Sequence, residues 1–496
     1  MNNLVLFFLL FLVQINSVFS QRSPLNEYSK ENINLSSIPT PQNFNPSFYS
    51  NTLHEALDQV FDSITSLTDL KGANAAMLLP DGSLWKRSHG VAEELPVVTP
   101  LTTEHIMGIA SITKSFIAVT MLRLQEQNML HLDDSIGQYL STYPNISGAA
   151  NIRQLLSHRT GFSDFIDENP ATLNEFFANI DSVWTIETLL NNFVLAPSFQ
   201  IDSAWSYSNT NYLLAGRVIE IVTGKPWYEV VREQVLTPLE LTHTFAYPWE
   251  STGQQHFSHG FFDLDGDGFV DDFQGQGLPI GGFLSIASTG GSYSSTPEDL
   301  VKFSERIYGG HLLSASSLAE MQTDYVHIGM GNVAGLGTFS VANAYNLENW
   351  GHSGDWLYKS NAEYYPTENM SLAVQQNDSR YHDDNDPNSP NYDVDGIYDA
   401  LLYAYVNFSK IASTTNIKKL QSLTIFPNPC KEACNVTFPK NTFQPFPIVC
   451  NVIDAVGNVV FSKILINPVS GISVAGLKPG FYVVSAGGFS GKIVVE

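Results

Sequence analysis

The chain has 496 residues, with 24 Lys and Arg against 49 Asp and Glu, for a formal net charge of −25. Such an acidic excess excludes polyanionic partners, nucleic acid and acidic membrane surfaces among them, as the basis of its function. The length supplies a large hydrophobic core without covalent staples. All three cysteines, Cys430, Cys434 and Cys450, fall near the end, so a disulfide framework is excluded elsewhere and one bridge stays open to the tail.

Residues 4–13 form a short apolar core, followed by Val18-Phe19-Ser20 before Gln21. This pattern predicts a signal peptide over residues 1–20, too short for a stable membrane span, although no Lys or Arg precedes the apolar core. Residues 21–51, rich in Asn, Ser and Pro, read as an exposed leader. A region spanning residues 52–410 opens with a helical pattern from Leu53 to Leu67. Two alternating segments, Ala75 to Leu79 and Leu84 to Val91, then flank the turn Pro80-Asp81-Gly82 and predict paired strands.

Helical patterns dominate from Ser111 to about Thr237, including Asn211 to Val222 closed by Gly224-Lys225-Pro226. Strand-like runs return after Gly335, and a last helix is predicted between Gly396 and Ser409. Strands at both sequence ends with helices between them predict an α+β fold, in which distant segments assemble one antiparallel sheet beside a helical subdomain. After a linker over residues 411–422, residues 423–496 carry short β-rich runs punctuated by Gly and Pro, which predict a small sandwich.

Chemistry is concentrated in three short motifs. Ser111-Ile112-Thr113-Lys114 places a hydroxyl and an amine one helical turn apart, on one face, with the apolar run Phe116 to Leu122 behind them. A serine hydroxyl is a weak nucleophile until a neighbouring group takes its proton, and a lysine at this spacing meets that need. Tyr207-Ser208-Asn209 and His352-Ser353-Gly354 follow in order. A fourth stretch, Asp263, Asp265, Asp267, Phe269 and Asp271, spaces carboxylates and a backbone carbonyl as in the first half of a calcium loop. Gln274 stands where a bidentate Glu is usual, so a structural calcium is a separate expectation. The acidic run His382 to Asp386 lacks that spacing and reads as a solvated loop.

With the phrases Leu132 to Tyr139, Ile152 to His158, Thr160-Gly161 and Ser295 to Leu300, the three motifs resemble the serine β-lactamase, DD-peptidase and esterase superfamily in its class C-like branch. The resemblance implies a β-lactamase/transpeptidase-like fold and an acyl-enzyme on Ser111, with Lys114 or Tyr207 as base and no cofactor for catalysis. It further implies that Asn209 orients Lys114 and substrate. His352, Ser353 and Gly354 would line an edge strand, and the backbone N–H groups of Ser111 and Asp355 would form the oxyanion hole.

Class C β-lactamases carry Lys where this chain has His352, and no Lys or Arg lies between Arg306 and Lys359. Asp355 would repel an anionic substrate and attract an amine. These departures favour a D-Ala-D-Ala carboxypeptidase-like peptidase, an amidase or an esterase acting on a small peptide, amide or ester, peptidoglycan stem peptides among them. A β-lactamase and a non-catalytic wall-binding or adhesive protein are the alternatives. The runs Ile425 to Pro429, Val452 to Val459 and Gly476 to Val483 are similar to the C-terminal sorting domain of type IX secretion, which implies export through that machinery to the cell surface or beyond.

Overall fold

The computed structural model describes residues 52–253, 256–264, 268–329, 331–380, 393–415, 423–438, 448–454, 459–465, 467, 469–486 and 489–495. They fall into two compact units, one built on Leu57–Tyr403 and the other on Ala404–Glu496. The predicted signal peptide, leader and acidic run His382 to Asp386 lie outside the described residues, as does most of the linker.

The first unit is organised by a nine-stranded sheet. Its strands in chain order are β1 (Gly72–Leu78), β2 (Leu84–Glu93), β3 (Thr99–Pro100), β4 (Val326–Gly329), β5 (Asn332–Ala334), β6 (Phe339–Ser340), β7 (Trp350–Asp355), β8 (Lys359–Tyr365) and β9 (Met370–Gln376). Their spatial order is β3-β2-β1-β9-β8-β7-β6-β5-β4. The first and last segments meet where β1 pairs antiparallel with β9, Ala73 opposite Gln376 and Leu78 opposite Ser371. The sheet assembled from distant segments is therefore present, with the helices inserted between its two halves.

Alternation along β2 sends neighbouring side chains to opposite faces. Trp85 packs edge-on against Phe61 of helix α1 (Leu53–Thr65) and donates to Asp58 of the same helix. The next residue, Lys86, reaches Glu298 of a helix over Pro297–Tyr308, so helices cover both faces.

Behind Ser111, helix α2 (Thr113–Glu126) is buried on all sides, from Thr113 to Leu122 and again at Leu124. Its lack of a polar face follows from the apolar run, interrupted only by Thr120, and each large apolar side chain sealed there contributes roughly 1.5–3 kcal/mol. Helix α3 (Asn209–Thr223) packs beside it and ends at Gly224, whose φ of 68° supplies the left-handed cap predicted at that glycine. The observed helix starts two residues earlier than the pattern Asn211 to Val222 suggests, which puts Asn209 in its first turn.

The second unit holds two small sheets, Thr424–Phe426, Ala433–Thr437 and Val469–Ser473 in one, and Val459–Leu465, Ile448–Ile453, Gly480–Ala486 and Phe489–Val495 in the other. Cys434, Val436 and Ile472 from the first share one apolar core with Cys450, Val452, Val484 and Ile493 from the second. All three cysteines are buried thiols. Burial and the adjacent Cys430 push the Cys434 thiol up to about 12.

Candidate active site

Ser111 sits in a 3-10 turn, Ala110–Ile112, that leads directly into α2. The turn is entered through Ala110 at a φ of 43°, an unfavourable conformation for a residue with a Cβ, and the surroundings hold it there. Ile109 donates to the Tyr293 carbonyl at 2.9 Å, Tyr293 donates back to the Thr113 hydroxyl at 3.0 Å, and Ser360 on β8 donates to the Ile109 carbonyl at 3.0 Å. The serine is thus clamped between the helical cluster and the sheet, half-buried.

Lys114, one turn on, is fully buried. Its Nζ lies 3.0 Å from Ser111 Oγ, 2.7 Å from Asn209 Oδ1 and 2.6 Å from the Gly290 carbonyl. The same nitrogen stands 4.8 Å from the centroid of the Tyr207 ring and 5.6 Å from that of Tyr212. Three elements far apart in sequence, the Ser111 turn, the start of α3 and the Gly290 loop, therefore converge on one amine. The first two are motifs singled out from sequence; the Gly290 carbonyl is not visible there, because any residue type carries one.

β7 brings the third motif. From Ser353 onward β7 pairs only with β8, since β6 meets it at Gly351 alone. Gly354 faces the serine turn so closely that a Cβ there would lie 2.1 Å from the Ile109 carbonyl, which explains glycine at this position. His352 is buried, and its Nδ1 donates to the Ser353 carbonyl at 2.5 Å. Burial, then the Lys114 charge, hold this imidazole down to about 3, so it is neutral at pH 7. Asp355 accepts from buried Lys359 at 2.6 Å. The carboxylate expected to repel anions thus has its charge balanced by a lysine two per cent exposed, a partner that chain order does not reveal.

Two residues without a role in the sequence reading hold the Tyr207-Ser208-Asn209 motif in place. His158 stacks on Tyr207 with ring centroids 4.4 Å apart and accepts from the Ser208 N–H at 3.1 Å. Burial lowers its pKa well below the usual imidazole range, and the charge of Lys114 lowers it further. Asp164 accepts from both the backbone and the side-chain N–H of Asn209, at 2.7 and 2.8 Å. A carboxylate set among Phe162, Phe165 and Ile166 is the available signal for Asp164, since such a group is buried only when paired.

Part of the acidic loop lies within the described residues. Asp263 accepts from the Gly268 N–H at 3.1 Å and Asp271 from the Leu264 N–H at 3.2 Å, while Phe269 is exposed. Gln274 accepts from the Gly260 N–H and donates to the Tyr358 hydroxyl, so its amide is engaged outside the loop. Asp265 and Asp267 lie outside the described residues.

A large antiparallel sheet beside a helical cluster, with a serine and a buried lysine at their junction, is the architecture of the β-lactamase/transpeptidase-fold serine hydrolases. The chain belongs to the Beta-lactamase family, which it matches over residues 57–394, and residues 424–496 match the secretion system C-terminal sorting domain.

Among solved structures it is similar to the D-amino acid amidase from Ochrobactrum anthropi SV3, at 26% identity and a TM-score of 0.61, over 72% of this chain and 99% of that one. The D-stereospecific amidohydrolase from Streptomyces sp. is similar at 28% identity and a TM-score of 0.57, over 66% of this chain and 94% of that one. Esterase EstB of Burkholderia gladioli is 28% identical over 198 residues, 38% of this chain and 50% of that protein. The chain spans about half the length of several curated relatives it matches.

Proposed function

We propose that this protein is an exported serine hydrolase that forms an acyl-enzyme on Ser111 and acts on small amides, D-amino acid peptides or esters. The observation that carries the reading is the set of partners around Lys114 Nζ. Asn209 Oδ1 and the Gly290 carbonyl only accept, so they take both hydrogens of a neutral amine. Its lone pair is then left for the Ser111 hydroxyl at 3.0 Å. In this reading Lys114 takes the hydroxyl proton as Oγ bonds to the substrate carbonyl carbon. Tyr207 relays a proton to the leaving amine or alcohol as its bond to that carbon breaks, and water then hydrolyses the ester. The backbone N–H groups of Ser111 and Asp355 would hold the oxyanion, at about 3 kcal/mol for one such donor.

A neutral acyl substrate is favoured over a carboxylate-bearing one by the charges along β7 and β8. His352 is uncharged, and Lys359, the one Lys or Arg between Arg306 and Arg380, is buried against Asp355. The amidase and esterase relatives agree with that preference, and the sorting domain supports export by type IX secretion. Among the described residues no helix is long and apolar enough to cross a membrane.

The test is an acid-quenched mass time course with a D-amino acid amide, a p-nitrophenyl ester, a D-alanyl-D-alanine peptide and benzylpenicillin. Turnover of amide or ester through an adduct absent in Ser111→Ala is expected. Rapid benzylpenicillin hydrolysis with no amide or ester turnover would make it a β-lactamase, and no adduct with any compound would make it a binding protein. A structural calcium on Asp263, Asp265, Asp267, the Phe269 carbonyl and Asp271 is a separate proposal. An unchanged melting temperature on adding calcium after chelation disposes of it.

A further inference from the structure

Asp164 is two per cent exposed and lies after the Thr160-Gly161 turn, beneath the start of α3. Both of its oxygens are fully engaged by donors. Oδ2 accepts the backbone N–H and the side-chain Nδ2–H of Asn209 at 2.7 and 2.8 Å. Oδ1 accepts the backbone N–H groups of Ile166 and Asp167 at 2.8 and 3.1 Å. With four N–H donors converging on it, the site is built for the carboxylate, although burial raises its pKa.

The consequence falls on Asn209. A carboxamide can turn over, presenting either oxygen or NH2 to Lys114, and the two ends are nearly the same size. A carboxylate only accepts, so Asp164 draws the NH2 end to itself and leaves Oδ1 facing the Lys114 Nζ at 2.7 Å. The opposite orientation would set donor against donor at Lys114 and acceptor against acceptor at Asp164. Because Asp164 also holds the backbone N–H of Asn209, the residue is pinned at both ends, and Asp164 is pinned in turn by its own loop.

We propose that Asp164 is a positioning residue for the nucleophile's amine: it fixes the orientation of Asn209, which aims Lys114 at Ser111, and its negative charge stabilises the ammonium that Lys114 becomes on taking the Ser111 proton. The titratable groups around Lys114 are His158 and His352, both neutral, the phenols of Tyr207 and Tyr212, and Asp164. Asp164 is the carboxylate of this set. Its removal lowers the proton affinity of Lys114, because an anion favours the charged amine.

This inference rests on Ser111 and Lys114 acting as assigned above, and the experiment separates the two. The full exported chain is labelled with a fluorophosphonate probe, and the second-order rate is followed from pH 5 to 10. Labelling of the wild type on Ser111 checks the assignment before any variant is compared. Asp164→Asn is expected to slow labelling roughly 100-fold, the cost of about 1 Å of misplacement. The acid limb of its profile should move to lower pH, with initial probe binding within twofold.

In an Asn209→Ala background the same change should slow labelling less than threefold, since its effect passes through Asn209. A full 100-fold loss in that background, or a slower variant with an unmoved acid limb, overturns the proposal in favour of a structural role. Should Asp164→Asn not fold, Asp164→Ser keeps an acceptor in place without the charge, and a wild-type acid limb in that variant is equally decisive. Titration of Lys114 Nζ by 15N lysine NMR reads the same shift without activity, so an unlabelled wild type sinks the Ser111 assignment and still leaves Asp164 testable.

Discussion

In the unit built on Leu57–Tyr403, Lys114, Asp164, His158 and His352 all lie out of water, the first two joined through Asn209, at a depth where an unpaired charge would cost several kcal/mol. Among the described residues of the tail, every buried position is instead apolar or a thiol, from Leu423 to Val495. The tail turns aromatic and aliphatic groups outward instead, with Phe426 and Phe481 each 74% exposed. One region keeps polar groups inside because their chemistry depends on exclusion from solvent. The other needs only a stable surface, which suits a segment that is read as an address.

If this contrast holds, damage to the buried web should remove activity while damage to the tail should not. The largest effect is expected for Ser111→Ala, with at least a 10⁴-fold loss of turnover of whichever amide or ester proves active, roughly the loss on removing a nucleophile. Activity within tenfold of wild type would place the nucleophile elsewhere. Gly354→Ala comes next. Its Cβ would meet the Ile109 carbonyl at 2.1 Å, so β7 must move away from the serine turn. Overpacking of this kind costs about 1–3 kcal/mol, and a kcat loss of roughly 100-fold is expected from the displaced strand. A crystal structure of the variant with an unmoved β7 would remove the reason given for glycine.

A smaller effect concerns stability against pH. His352 is held down to about 3 when folded, whereas its ordinary value is 6.5. The unfolded chain therefore binds a proton below pH 6.5 that the folded chain refuses, so this residue's contribution to stability is intact above pH 6.5 and falls progressively toward pH 3. Melting curves of His352→Gln should fall less steeply than wild type over that interval, and parallel curves would contradict the buried neutral assignment. The smallest effect is expected from deleting residues 423–496, with labelling of Ser111 within twofold of the full chain. A loss beyond tenfold would break the division between site and address.

Much of this architecture is legible in the sequence because it rests on local or periodic signals. The apolar run after Lys114 announces a buried helix, Gly224 marks where α3 stops, and alternation around Pro80-Asp81-Gly82 gives the β1–β2 hairpin. The three motifs are likewise readable, since their residue types are few and their spacing is short. Phrases such as Ile152 to His158 carry the resemblance, yet their reason emerges only when His158 is found stacked on Tyr207.

Local pattern along the chain carries the fold class, the Ser111–Lys114 pair, the order of the motifs and the change of character at the tail, because helix and strand periods and residue chemistry are properties of neighbours along the chain. Folding in three dimensions is what brings the Gly290 carbonyl to Lys114, Asp164 to Asn209 and Lys359 to Asp355. The first two partners are separated by 176 and 45 residues, and the third depends on the β7–β8 turn. Such pairings follow from where the sheet and helices bring the chain back on itself, and the charge or tautomer of each group follows from burial, which no short stretch of sequence specifies.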